Sequence, residues 1–136
     1  MKSVVIVPSN REQQITHFLE VWRKEMANAT VMIIEYNPDK TFDLKGDNIV
    51  HYAWTDINST LRDKSWIIPS GSGCVGSFGV YMAYRLNPDM IIQLGDDCYP
   101  DPAYPEFLER HWSRLQVADD DAWISSVNCP GLGMRG

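Results

Sequence analysis

Met90-Ile91-Ile92-Gln93-Leu94 is an apolar run that ends abruptly at Gly95 and two adjacent carboxylates, Asp96 and Asp97. Cys98, Tyr99 and the turn residues Pro100, Asp101 and Pro102 follow. A buried strand that delivers charge at its carboxyl end places that charge in the crevice where open α/β sheets bind ligands. Two carboxylates there suit a divalent cation such as Mn²⁺ or Mg²⁺, which takes oxygen ligands and can in turn clamp a diphosphate. That is the chemistry of many sugar-nucleotide transferases. The plain alternative is a solvated strand-to-loop junction, because Asp is common in turns.

A second constellation is Gly71-Ser72-Gly73-Cys74-Val75-Gly76, which matches G-x-G-x-x-G between a short apolar run and a helical pattern. In dinucleotide-binding units such glycines let the backbone approach a pyrophosphate at a helix amino terminus. Here the motif does not follow the first strand, and Pro69 ends the run before it. No Lys follows the glycines, so this is not a P-loop. The competing reading is structural: Gly76, Gly79 and Ala83 let a helix lie close on a sheet.

These residues must be positioned by short β-like runs alternating with helical periodicity, the pattern of an α/β sheet with helices packed on it. Ser3–Val7 reads as a buried first strand ended by Pro8, and Ser9 or Asn10 as the cap of a helix over 12–27. Ile15, Phe18, Leu19, Trp22 and Met26 form its apolar stripe. Thr30–Tyr36, Ile49–Trp54, Trp66–Ile68, Met90–Leu94 and Ala122–Val127 are further strand candidates. Thr55 or Asp56 starts a short helix through Leu61. A helix near 75–87 presents Val75, Phe78, Met82 and Leu86 on one face. Tyr104–Val117 is helical, with Phe107, Leu108, His111 and Leu115 inward, and 128–136 is loop-like. The expectation is one α/β domain over residues 1–136, its central sheet mostly parallel with helices on both faces, and the amino-terminal part of a longer protein.

Composition narrows the function. The 136 residues suffice for one core, and 44% hydrophobic with 22% charged residues is ordinary for a globular chain. The net charge of -6, with no basic cluster, argues against nucleic-acid binding. The acidic block Asp119-Asp120-Asp121 reads as a solvated turn. Cys74, Cys98 and Cys129 form no disulfide framework or zinc spacing, which suggests a reducing, cytoplasmic setting. No run reaches membrane-spanning length. Five Trp and six Tyr are many for this size, so some aromatics are candidates to line a pocket.

Several blocks, in order, carry a resemblance. They are Val5-Ile6-Val7-Pro8-Ser9-Asn10-Arg11, Phe18-Leu19-Glu20-Val21-Trp22-Arg23, Asp56-Ile57-Asn58, Lys64-Ser65, Ser72-Gly73-Cys74 with Phe78-Gly79 and Tyr81-Met82, Gly95-Asp96-Asp97-Cys98, and Arg135-Gly136. The chain resembles the reversibly glycosylated polypeptides, the family that includes the UDP-arabinopyranose mutases. The resemblance implies a GT-A-like fold, a Rossmann-like sandwich that binds a nucleotide sugar, usually a UDP-sugar, with Mn²⁺ or Mg²⁺. Two positions depart from the family. Gly95 stands where the family has the first Asp of a triplet, and no Arg occupies Cys74–Phe78, where the family has the Arg associated with self-glycosylation.

On this reading Asp97 is a metal ligand and Asp96 a second ligand or water-mediated partner. Pro8, Ser9 and Asn10 lie where the fold cradles the nucleoside. The Arg11 fork suits phosphate, or is simply a surface Arg on a first helical turn. Glu35 could accept from the base N–H. Asn58 follows from the Asp-Ile-Asn match, or satisfies a local turn. Lys64 could approach the diphosphate as a point charge. Cys98 is expected to pack behind the loop, His17 and His51 to be exposed or half-buried, and His111 to pack on the core. The expected function is a metal-dependent glycosyltransferase-like or mutase-like domain with a nucleotide-sugar donor, an unknown acceptor, no membrane partner and possible homo-oligomerisation. A non-catalytic binding or assembly module of the same fold is the alternative, and a dinucleotide-dependent oxidoreductase the outsider.

Overall fold

A computed structural model describes residues 1–117 and, by backbone alone, 134 and 135. Four parallel strands form the central sheet in the order β3-β2-β1-β4: β1 (Ser3–Ser9), β2 (Thr30–Glu35), β3 (Ile49–Tyr52) and β4 (Met90–Gln93). β1 pairs with β2 from Val4↔Thr30 to Ser9↔Glu35 and with β4 from Ser3↔Met90 to Ile6↔Gln93. β2 pairs with β3 from Val31↔Ile49 to Ile34↔Tyr52. The carboxyl ends of β1 and β2 therefore lie side by side.

Period-two alternation sorts the strand residues onto two faces. Val5, Val7, Val31 and Ile33 pack with Ile15 and Phe18 of α1 (Glu12–Val21), with Trp22, and with Phe107 and Leu108 of α4 (Phe107–Val117). Val4, Ile6, Met32 and Ile34 pack with Ile57 of α2 (Trp54–Leu61) and with Val75, Phe78 and Ala83 of α3 (Val75–Arg85). Helices thus cover both faces, which is why the strands read as continuous apolar runs. This is the α/β class expected from the sequence, with an all-parallel sheet among the described residues.

Gly76 and Gly79 account for the seat of α3. A Cβ on Gly79 would fall 2.5 Å from Ile6 Cγ2 and 3.0 Å from Ile34 Cγ1. One on Gly76 would fall 3.0 Å from Gln93 Nε2 and 3.1 Å from Pro8 Cγ. At Gly79 only a residue without a side chain lets the helix ride this close, whereas at Gly76 a Cβ would require Gln93 and Pro8 to give by a few tenths of an ångström. The structural reading of these two glycines holds, whereas Gly73 meets nothing within 4 Å.

Several expectations are corrected. α1 stops at Val21, and turns carry the chain on to Asn28. Arg23 N–H bonds the Glu20 carbonyl three residues back at 3.4 Å, so the four-residue ladder is interrupted. Trp22 and Met26 are buried nonetheless. The α1 cap is Arg11, without a side-chain cap bond, not Ser9 or Asn10. α2 starts at Trp54, and Asp56 serves its first turn by accepting the Ala53 N–H at 2.8 Å.

Trp66–Ile68 is no strand. Arg62–Ile67 forms a 3₁₀ turn that joins neither sheet, and leaves Trp66 76% and Ile67 56% exposed. Leu86, at the end of α3, and Leu115 are exposed rather than inward. α4 starts at Phe107, where the Glu25 carboxylate accepts the N–H groups of Glu106 and Phe107 at 3.3 and 2.9 Å. A carboxylate from elsewhere in the chain so meets the positive end of this helix. Tyr99–Pro100 (β5) pairs antiparallel with Met134–Arg135 (β6), both read from sequence as loop. The acidic block 119–121, Cys129 and the expected strand 122–127 lie outside the described residues.

Candidate functional site

In the order β3-β2-β1-β4, the chain leaves β1 through α1 toward β2 on one side, while β4 lies on the other. The loops after β1 and β4 therefore flank a topological switch point, where open α/β sheets form their ligand crevice. Here they carry Ser9 to Arg11 and Gly95 to Cys98.

Three side chains knit the two loops together. Ser9 Oγ accepts the Arg11 N–H at 2.9 Å and donates to Asp96 Oδ2. Arg11 Nε donates to the same oxygen at 3.0 Å, and Nη2 donates to Asp96 Oδ1. Asp96 is 5% exposed, so its charge is buried but doubly paired, which such a group requires. Asp97 is different: its side chain is 66% exposed, and its Oδ2 lies 3.7 Å from Arg11 Nη2. The hydrogen bond to Asp96 and its charge, with Asp97 adding, raise the Arg11 guanidinium above its ordinary value.

The loop after β4 is held from behind. Leu94 N–H bonds the Ile6 carbonyl at 2.9 Å, and Trp22 Nε1 donates to the Cys98 carbonyl at 2.8 Å. Trp22 stacks edge-on against Phe107 with centroids 4.8 Å apart, and Gln14 donates to the Tyr99 hydroxyl. Cys98 packs against the core, as expected. Gly95 matters sterically, since a Cβ there would fall 2.7 Å from Asp97 Oδ1. A side chain at 95 and the present Asp97 position exclude each other.

The fit of a divalent cation can be tested on this donor set. Both Asp96 oxygens are engaged by Arg11, one also by Ser9, and the guanidinium stands beside Asp97 as well. No three His, Cys, Asp or Glu side chains cluster in ligand geometry among the described residues. One free carboxylate beside a fixed cation is a poor donor set for Mn²⁺ or Mg²⁺. As arranged, the residues do not fit the metal.

Glu35, paired with Ser9 across the strands, is completely buried. Its carboxylate accepts from Asn37 Nδ2 at 2.6 Å, from Thr41 N–H at 3.0 and 3.1 Å, and from Phe42 N–H at 3.4 Å. Thr41 Oγ1 donates to it, and His51 Nε2 lies 2.8 Å away, its ring stacked on Phe42. Burial alone would raise the Glu35 pKa, but the bonds from Thr41, Asn37 and the backbone of Thr41 and Phe42 outweigh it and hold it below the ordinary value. Both oxygens are taken by the chain's own β2–β3 connection, which makes Glu35 an organiser of that loop.

The remaining residues scatter. Pro8 lies against the first turn of α3, and Asn10 is exposed at the mouth of the crevice. Asn58 is exposed on α2 and Lys64 on the 3₁₀ turn, with no hydrogen bond or ion pair to the Ser9–Arg11–Asp96 cluster. His51 is half-buried and His17 exposed, as read. His111 packs on the Phe107 ring at 4.2 Å, with Nδ1 2.8 Å from the Phe107 carbonyl. A groove of about 530 Å³ lies elsewhere, between α1 and the 43–49 segment, lined by Leu19, Arg23, Met26, Leu44, Lys45 and Ile49. It contains none of the switch-point residues.

No protein-family model and no curated protein sequence matches this chain. What its site can do therefore rests on the geometry. The sequence named Ser9 and Arg11 for the nucleotide sugar and Asp96 and Asp97 as a pair for the metal. The structure joins Asp96 to Ser9 and Arg11, and only the sheet order reveals that pairing.

Proposed function

We propose that this domain binds a nucleotide sugar, a UDP-sugar, at the crevice between the loops after β1 and β4, and that it acts in glycosyl transfer or sugar-nucleotide mutase chemistry on a GT-A-type fold. The observation that carries the reading is the Ser9–Arg11–Asp96 cluster at the switch point. An exposed guanidinium is held there by a buried carboxylate, as a phosphate-binding group should be. The ordered blocks shared with the reversibly glycosylated polypeptides support the sugar-nucleotide class.

Gly95 favours the second reading, a module that kept the donor site and lost catalysis. It removes a carboxylate from the loop that the family would use for chemistry. A dinucleotide enzyme fits less well. Its glycine fingerprint belongs in the first βα turn, which here is Ser9-Asn10-Arg11, and Gly76 is spent on seating α3.

A thermal-shift panel with UDP, UDP-sugars and NAD tests the proposal. UDP at ~100 times its dissociation constant should stabilise the fold by about 2.7 kcal/mol, a rise of several degrees. A shift with NAD and none with UDP would reject it. Release of UDP from a UDP-sugar separates the catalytic from the non-catalytic reading.

A further inference from the structure

We infer that Arg11, not a divalent cation, carries the diphosphate charge, so that diphosphate binding survives removal of metal. The inference rests on the nucleotide-sugar reading for its ligand and departs from the metal dependence that the family resemblance implies.

The donor count supports this assignment. A guanidinium has five N–H donors in a fixed fork. Asp96 takes one from Nε and one from Nη2 in a side-on pair. Nη1 has no acceptor among the described residues, and the side chain is 55% exposed. One edge is thus bound to Asp96, Asp97 stands 3.7 Å from Nη2, and Nη1 is left to meet the oxygens of a phosphate.

Preorganisation follows from the same contacts. Asp96 is buried and fixed by Ser9, which also receives the Arg11 backbone N–H. The flexible Arg stem is therefore ordered before ligand arrives, and less freedom is lost on binding. A cation in the same place would have to take Asp96 from Arg11 or sit beside the guanidinium on Asp97 alone. Each alternative sets two positive charges together without enough carboxylates to offset them. With Arg11 as the cation, Asp97 stands 3.7 Å from Nη2 and competes with the phosphate, its negative charge opposing the ligand.

The test is calorimetric titration of the full chain with UDP and with inorganic pyrophosphate, in excess EDTA and again with Mn²⁺. Variants Arg11→Gln, Arg11→Lys and Asp97→Asn are titrated alongside. The inference expects EDTA to change UDP affinity by no more than about threefold, less than one charge-assisted hydrogen bond contributes. It expects Arg11→Gln to weaken both ligands by at least about tenfold with or without metal. Arg11→Lys should recover part of that loss, and Asp97→Asn should bind as tightly as the parent or tighter. UDP binding that vanishes in EDTA, returns with Mn²⁺ and is lost in Asp97→Asn overturns the inference while upholding the nucleotide reading. Arg11-dependent pyrophosphate binding without UDP binding upholds the anion site and rejects the nucleotide. Silence toward both ligands rejects both. The EDTA arm uses the unaltered chain, so a misfolded variant does not blunt it.

Discussion

Gly79→Ala drives a methyl group from α3 into the sheet. The added carbon would lie 2.5 Å from Ile6 Cγ2 and 3.0 Å from Ile34 Cγ1, against a normal carbon–carbon contact of about 3.5–4.0 Å. Both isoleucines are fully buried, and β-branching leaves them few alternative rotamers, so the helix must retreat by roughly an ångström. Overpacking of this kind costs about 1–3 kcal/mol. Alanine's better helix propensity returns at most about 1 kcal/mol. A contact of 2.5 Å puts this site in the upper part of the overpacking range, so the expected net is a loss of about 1–2 kcal/mol, read as a fall in melting temperature of about 3–8 °C by circular dichroism. Gly73→Ala, which meets no atom within 4 Å, is the control and should stay within about 0.5 kcal/mol of the parent. A Gly79→Ala chain as stable as the parent, or a Gly73→Ala chain that falls as far, would refute the packing account of these glycines.

Glu35→Gln replaces one acceptor oxygen with an NH2 donor that faces the donors of Asn37, Thr41 and Phe42, and should cost about 2–3 kcal/mol in urea unfolding. The depressed Glu35 pKa has a fixed sign in pH dependence. The unfolded chain binds the proton first, so this contribution is intact above the ordinary value of 4.5 and is lost as pH falls from there through the lower folded value. Melts between pH ~6 and ~3 should show a steeper acid loss for the parent than for Glu35→Gln; parallel curves would contradict this. Trp22→Phe keeps most of the packing on Phe107 but orphans the Cys98 carbonyl, and should cost about 1–3 kcal/mol. Amide exchange at Cys98 and Tyr99 should quicken in that variant, and unchanged exchange would show that Trp22 does not brace the loop.

Much of this architecture is legible in the residues because covered parallel strands must be apolar on both faces. Val4 to Val7, Val31 to Ile34 and Met90 to Leu94 announce themselves in that way. The stripe of Ile15, Phe18, Trp22 and Met26 survives the end of α1 because burial follows the turn spacing, not the hydrogen-bond ladder. Trp66-Ile67-Ile68 misleads for the opposite reason. Its composition is strand-like, but it forms a 3₁₀ turn with Trp66 and Ile67 exposed, and local composition carries no information about which strands will pair. The β5–β6 pair is equally hidden, being two residues long and more than thirty residues apart in the chain. At the site, the sequence supplies the residue types. The ion pair between Arg11 and Asp96 joins positions 85 apart and depends on β4 lying beside β1. The same blindness affects Glu35, whose partners belong to a loop that reads as an ordinary turn.

The most direct test of the central claim is to follow backbone amides by NMR as UDP is titrated into the chain. The account predicts the largest shift changes at Ser9, Asn10 and Arg11 and at Gly95, Asp96 and Asp97. Changes confined to Leu19, Arg23, Leu44 and Lys45 around the α1 groove, or none at saturating UDP, would contradict it.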